Sequence, residues 1–157
     1  YLLQRLGFSY TTTLQSKSTY WIHCASVGEV NTYIPLHRKL IERLPDSHFI
    51  ITTNTTTGAS TVARHACERT SHLYLPIESS FAIKRFLNAI QADRCLIMET
   101  EIWPLLYKHC AQRHIAINII NGRLSHRTLE SNNWIKTIYK NSLQCVEEIL
   151  CKSEQEV

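Results

Sequence analysis

Two hydrophobic periods alternate along this chain. Short apolar runs at about 20–25, 48–53, 72–75, 94–99 and 115–121 read as buried strands, with a sixth near 148–151. Between them the apolar positions fall at helical spacing. Val30, Tyr33, Ile34, His37, Leu40, Ile41 and Leu44 form one such stripe, with Pro35 in its early turns, where it either marks the start of the regular helix or kinks it. A second helix is expected at about 59–68, and a third carries Ile83, Phe86, Leu87 and Ile90 on one side. Trp134, Ile135, Ile138 and Tyr139 predict another helix packed on the sheet. These stripes read as core-facing surfaces. Repeated strand–helix units imply an α/β fold, a parallel sheet with helices on both faces. Residues 1–19, rich in Ser and Thr from position 9, read as a lead-in, and 20–157 as the domain itself.

Polar residues interrupt this pattern most abruptly at 96–104, Leu-Ile-Met-Glu-Thr-Glu-Ile-Trp-Pro. An apolar strand ends in Glu99 and Glu101, and charge at such a place is costly unless solvated or paired. The carboxyl ends of strands are where open parallel sheets bind ligands. The alternative is that both acids cap the next helix at its positive N-terminus. A comparable pattern follows the first strand, as Ser26-Val27-Gly28-Glu29. Gly28 permits a backbone conformation or close approach that a side chain would block, and Glu29 stands where a base could meet a bound hydroxyl. The Thr-rich turn at 52–58 offers hydroxyls and backbone N–H groups to a sugar or anion, or is simply a capped turn. Asn121-Gly122-Arg123 closes the fifth strand with a cation at the same edge. The topology thus gathers Glu29, Thr53 to Thr57, Glu99, Glu101 and Arg123 at one rim.

Composition narrows the classes. A chain of 157 residues suits one domain with a proper core. No apolar run approaches the ~20 residues needed to span a bilayer. The excess of 17 basic over 13 acidic residues fits an anionic partner or membrane surface, but no Lys/Arg run marks a nucleic-acid patch. Six cysteines contain no Cys-x-x-Cys pair and read as reduced thiols, and the eight histidines lack a ligand spacing for zinc. With four glycines and no Gly-x-Gly-x-x-Gly or Walker sequence, the chain has no phosphate cradle of its own. It begins with Tyr and ends in what reads as a helix start, as an internal piece of a longer protein would.

Taken in order, Ser26-Val27-Gly28-Glu29-Val30, Ile34-Pro35-Leu36, Thr52 to Gly58, Tyr74-Leu75-Pro76, Ile97 to Pro104 and Asn121-Gly122-Arg123-Leu124-Ser125 closely resemble the N-terminal half of the Kdo transferases of lipopolysaccharide synthesis. The resemblance covers essentially the whole chain. It implies the acceptor-binding half of a two-domain, Rossmann-like, GT-B glycosyltransferase, inactive alone. The implied reaction moves Kdo from CMP-Kdo to lipid IVA, the lipid A precursor, with inversion and without metal or redox cofactor. The donor site would lie in the other half, and the setting would be the cytoplasmic face of the bacterial inner membrane, with a membrane anchor ahead of Tyr1. Carry-over makes Glu29 the base and links Glu99 to transition-state stabilisation. It gives Ser26, Gly28, Thr53, Thr55, Thr57, Gly58, Glu101 and Arg123 to the acceptor. Where the family usually has Tyr-Asp-Leu-Pro, this chain has Ile77-Glu78-Ser79-Ser80, and Thr56, Leu105 and Gly122 also depart from the pattern. Competing readings are another nucleotide-sugar-dependent GT-B enzyme, or a receiver-like α/β module that binds a metal and a phosphoryl group. The latter lacks its acidic pair after strand one and has Glu, not Asp, at 99.

Overall fold

Strand runs that are apolar on both faces need cover on both faces, and the chain supplies it with helices between the strands. We describe it from a computed structural model, in residues 1–10, 17–122 and 132–151. The elements are α1 (Leu2–Arg5), β1 (Ser18–His23), α2 (Val27–Arg43), β2 (Ser47–Thr53), α3 (Thr56–His65), β3 (Thr70–Tyr74), α4 (Ser80–Ile90), β4 (Arg94–Met98), α5 (Pro104–Ala111), β5 (Ala116–Gly122), α6 (Asn133–Leu143) and β6 (Val146–Cys151). The six strands form one parallel sheet in the order β3-β2-β1-β4-β5-β6. The order reverses between β1 and β4, so the connections after these neighbouring strands diverge and leave a crevice at their carboxyl ends. This is the Rossmann-like α/β fold expected from the strand–helix alternation.

Side chains alternate across the sheet. Trp21, Ile50, Cys95 and Ile97 face a core shared with Ile83 and Phe86 of α4 and Tyr107 of α5. Ile22, Phe49, Ile51 and Leu96 face the opposite core with Val30 and Tyr33 of α2 and Val62 of α3. Every residue of β2 is buried, as a strand near the middle of such a sheet requires. Register brings His23, at the end of β1, beside Thr52 on one side and Ile97 on the other.

Three elements differ from the sequence reading. Helix α2 runs unbroken from Val27 through Pro35 to Arg43, so Pro35 is internal and does not mark its start. Helix α3 begins at Thr56, three residues before the expected 59, because the Thr55 hydroxyl accepts from the Gly58 N–H and caps it. Helix α6 forms, yet the first of its two aromatic residues points away from the sheet: Trp134 is 63% exposed, Tyr139 is half-buried, and Ser142 is the residue of the helix that is buried. Residues 1–8 dock between β3 and α4. Gln4 Oε1 accepts from the Tyr74 N–H at 3.0 Å, and the Arg5 carbonyl accepts from the Ile77 N–H at 2.8 Å. Gly7 is needed there: its φ is +90°, and a Cβ would come within 2.8 Å of the Ala82 Cα. No helix among the described residues is long and apolar enough to cross a membrane.

Candidate active site

The crevice between the ends of β1 and β4 is built first by the cap of α2. Ser26 is extended (φ −127°, ψ 167°) and its hydroxyl oxygen accepts from the Glu29 N–H at 3.3 Å. Glu29 returns the bond. Its Oε1 accepts from the Ser26 hydroxyl at 2.9 Å, and its Oε2 from the Ala25 N–H at 2.8 Å. This is a close relative of the capping box, and it leaves the carboxylate with one orientation and 7% exposure. Burial raises the proton affinity of Glu29. The Ala25 and Ser26 hydrogen bonds partly oppose that, and the charges of Glu101 and Glu99 raise it further. Glu29 therefore feels the charges of Glu101 and Glu99 across the crevice. Gly28 does not have a left-handed backbone, and a Cβ there would meet only the Ser26 Oγ at 3.7 Å. Neither local strain nor crowding demands a glycine; its effect is to leave open space over the first turn of α2.

At the end of β4 the backbone turns sharply. Glu99 has φ +60°, a left-handed conformation uncommon outside glycine, asparagine and aspartate, while its N–H still donates to the Ile120 carbonyl at 2.8 Å. Asn121, the penultimate residue of the neighbouring β5, is also left-handed (φ +58°). Between Glu99 and Trp103 there is no helix or strand, and both acids are half-buried at the rim. They do not cap α5. That helix starts with Pro104 and has no acid in its first turn. The Leu105 N–H is satisfied instead by Glu78 Oε1 at 2.7 Å. The capping alternative for Glu99 and Glu101 is thereby removed, and Glu78 acquires a structural duty. Tyr107 anchors the segment from below, its hydroxyl donating to the Glu101 carbonyl at 2.7 Å.

The Thr-rich turn is largely occupied with itself. Thr53 is buried, and its hydroxyl donates to the Thr55 carbonyl at 3.0 Å and meets His72 Nε2 at 2.9 Å. Thr55 caps α3, and the Thr57 hydroxyl donates to Thr55 Oγ1 at 3.3 Å. A Cβ on Gly58 would stand 3.0 Å from Thr55 Oγ1 and 3.1 Å from the Thr53 Cβ, so a side chain here would press on the turn and its neighbours would have to shift. Thr55 and Thr57 are exposed and can face a ligand; Thr53 holds the turn. Arg123 lies outside the described residues.

Sequence reasoning passed over His23. It has no exposure, its Nδ1 lies 3.0 Å from Thr52 Oγ1, and its Nε2 has no partner. Burial, against a hydrogen bond to Thr52, brings its pKa down to about 4, so the ring is neutral at physiological pH. The available signal was a histidine inside the apolar run 20–25, immediately ahead of the Ser-x-Gly-Glu turn.

The model of the 3-deoxy-D-manno-octulosonic-acid transferases (Kdo transferases) matches residues 1–157. The chain belongs to this family. It is 38% identical over 135 residues to a 3-deoxy-D-manno-octulosonic acid transferase of Haemophilus influenzae, covering 86% of this chain and 32% of that protein. With the enzyme of the same name from Rickettsia typhi it shares 29% identity over 139 residues, 87% of this chain and 29% of the relative. The chain thus spans about a third of the length of these curated relatives. Among solved structures, the UDP-GlcNAc 2-epimerase of Neisseria meningitidis bound to UDP-GlcNAc superposes with a TM-score of 0.60 at 11% identity, over 88% of this chain and 41% of that one. At that identity the likeness is one of fold, and it agrees with a GT-B-like half. Among the described residues of this chain, Glu29, Glu99 and Glu101 are acids that the fold brings to the crevice between β1 and β4.

Proposed function

We propose that this chain is the acceptor-binding half of an inverting Kdo transferase that moves Kdo from CMP-Kdo to a hydroxyl of the lipid A precursor. The observation that carries the reading is Glu29. It is a carboxylate with fixed orientation and raised proton affinity, at the mouth of the switch-point crevice, with two further acids beside it. A sugar hydroxyl is a poor nucleophile until a base takes its proton as the new bond forms. Here the acceptor oxygen attacks the anomeric carbon of Kdo, the bond from that carbon to the phosphate breaks, CMP leaves with the electron pair, and Glu29 takes the proton. Cytidine monophosphate carries its charge well as it leaves, so no acid is required opposite. Glu99 offsets positive charge developing at the donor carbon, and Glu101 supports it. Ser26 keeps the base in place. Open space over Gly28 admits the acceptor, and Thr55, Thr57 and Arg123 receive its polar head. CMP-Kdo is bound mainly by the opposing half.

A lipid acceptor places the reaction at a membrane surface, on the cytoplasmic face of the inner membrane in this reading. An exposed apolar patch supports that setting. Leu2, Leu3, Phe8 and Phe81 are all well exposed, and Arg85 lies over the rings of Phe8 and Phe81 at 4.9 and 5.6 Å. Apolar side chains interleaved with cations suit an anionic lipid interface. The reading is tested by assaying the full-length enzyme with CMP-Kdo and lipid A precursor. Glu29→Gln is expected to lower turnover by ~10²–10⁴. Activity within a few-fold of wild type would remove Glu29 from the role of base.

A further inference from the structure

Two side chains whose rings are neighbours at the crevice each carry a buried polar atom without a partner. One atom is Nε2 of His23, a residue with no exposure; the other is Nε1 of Trp103. The two rings are perpendicular (80°), with centroids 6.5 Å apart. A buried polar atom left unpaired costs roughly 1–3 kcal/mol, and such groups are few in native proteins. The arrangement around His23 is otherwise closed. Thr52 Oγ1 accepts from Trp21 Nε1 at 2.9 Å, donates to the Ile22 carbonyl at 3.3 Å and lies 3.0 Å from His23 Nδ1, which fixes the ring. Apolar packing alone would favour a phenylalanine here.

The chemistry of the missing partner can be narrowed. The Trp103 indole is a donor only. If the Thr52 hydroxyl leaves the Ile22 carbonyl and donates to Nδ1, His23 Nε2 carries a proton and is a second donor; while that hydroxyl donates to Ile22, Nδ1 donates to Thr52 and Nε2 is an acceptor. A hydroxyl oxygen satisfies both cases. It accepts from both rings in the first, and accepts from Trp103 while donating to His23 in the second. A carboxylate or phosphate oxygen fits only the first. The covering segment, Glu99 to Trp103, has no helix or strand and leaves β4 through the left-handed Glu99.

We propose that His23 and Trp103 form a subsite for one sugar hydroxyl, opened when the 99–103 segment shifts outward and the Tyr107 hydroxyl releases the Glu101 carbonyl as substrate enters. This rests on the transferase reading above, and adds to it a ligand-contacting pair that the acidic rim does not include. The hydroxyl belongs either to Kdo or to the glucosamine of the acceptor. The subsite couples substrate entry to the placement of Glu99, because the same short segment carries both Glu99 and Trp103. The neutral imidazole orients the ligand and takes no proton from it.

The test uses the full-length enzyme labelled with ¹⁵N at tryptophan, the Trp103 indole signal being assigned by its loss in Trp103→Phe. CMP-Kdo and the deacylated, phosphorylated glucosamine disaccharide are titrated separately. One of the two should shift the Trp103 signal, and the shift should vanish in His23→Phe. That variant should keep its melting temperature within a few degrees, since it removes an unpaired polar atom, and should raise the KM of the same substrate tenfold or more with the other KM unchanged. The double variant should lose little beyond the larger single loss, because both rings hold one oxygen. If His23→Phe does not fold, the wild-type titration decides alone. An active wild type whose Trp103 signal ignores both substrates, or single losses that multiply, would show an enclosed water only and overturn the subsite. A wild type that transfers no Kdo would instead overturn the transferase reading.

Discussion

Acid should unfold this chain early, and His23 allows the size of the effect to be worked out. Its pKa is about 4 in the fold against 6.5 for an ordinary histidine. In the unfolded chain the ring charges as pH falls through 6.5; in the folded chain it stays neutral until about 4. The unfolded state therefore binds more protons in that window. Stability from this group is fully present above 6.5 and is lost as pH falls toward 4. The difference amounts to about 2 kcal/mol at pH 5 and about 3 kcal/mol below pH 4. His37 and His72, also brought down to about 4 by burial, act in the same direction. Glu29 acts in the opposite direction, since its proton affinity is higher in the fold. Against a total of about 5–15 kcal/mol for an ordinary domain, the loss is large. Urea unfolding followed by tryptophan fluorescence at pH 7, 6, 5 and 4.5 measures it. His23→Phe should flatten the dependence by one proton, about 1.4 kcal/mol per pH unit between 6 and 4.5. Equal stability at pH 7 and 5, or an unchanged slope in the variant, would refute the argument that these rings are held neutral.

The remaining expectations concern the rim and the Thr-rich turn. In the full-length enzyme Glu99→Gln should lower turnover more than Glu101→Gln, with circular dichroism unchanged; the reverse order would exchange their roles. Glu99→Gly should stabilise the fold by about 1 kcal/mol in urea unfolding, by relieving the left-handed backbone, while activity is lost. Gly58→Ala should cost about 1–3 kcal/mol, because its Cβ has the Thr53 Cβ at 3.1 Å. Thr55→Ala, which removes the cap of α3, should cost about 1 kcal/mol.

What the sequence made legible follows the range of the forces involved. Strand and helix periods are local, so the alternation and the parallel sheet could be read directly. Ser26 and Glu29 are three residues apart and cap each other, which also keeps their chemistry local. The cap of α5 was not legible, because Glu78 reaches the Leu105 N–H from 27 positions away. With that partner unseen, Glu99 and Glu101 could equally have been read as caps. The outward face of α6 was missed for a related reason. Apolar residues at helical spacing state that a helix has an apolar stripe, not that a partner covers it, and Trp134 remains exposed. His23 was hidden because a buried histidine with a bonded Nδ1 is usually a satisfied core residue; only the unpartnered Nε2 separates it from that reading.

In the proposed reaction the rim joins two requirements that a transfer to a sugar hydroxyl imposes at once. A base must hold a proton more readily than an ordinary carboxylate does, and the donor carbon, which becomes positive as its bond to phosphate breaks, must find negative charge nearby. A solvated pair of acids meets neither requirement well, since water screens their field. Here Glu29 is buried and tied by the Ala25 N–H and the Ser26 hydroxyl, so it cannot swing away from its neighbours. Glu99 and Glu101 raise its proton affinity through the same field that would favour a cationic carbon between them. The repulsion among three acids is a cost in the empty crevice. It is relieved in the proposed reaction by the two positive species that arrive there, the proton on Glu29 and the charge at the donor carbon. An acid cluster of this kind is destabilising in the ground state and stabilising at the transition state, and that difference is what lowers a barrier.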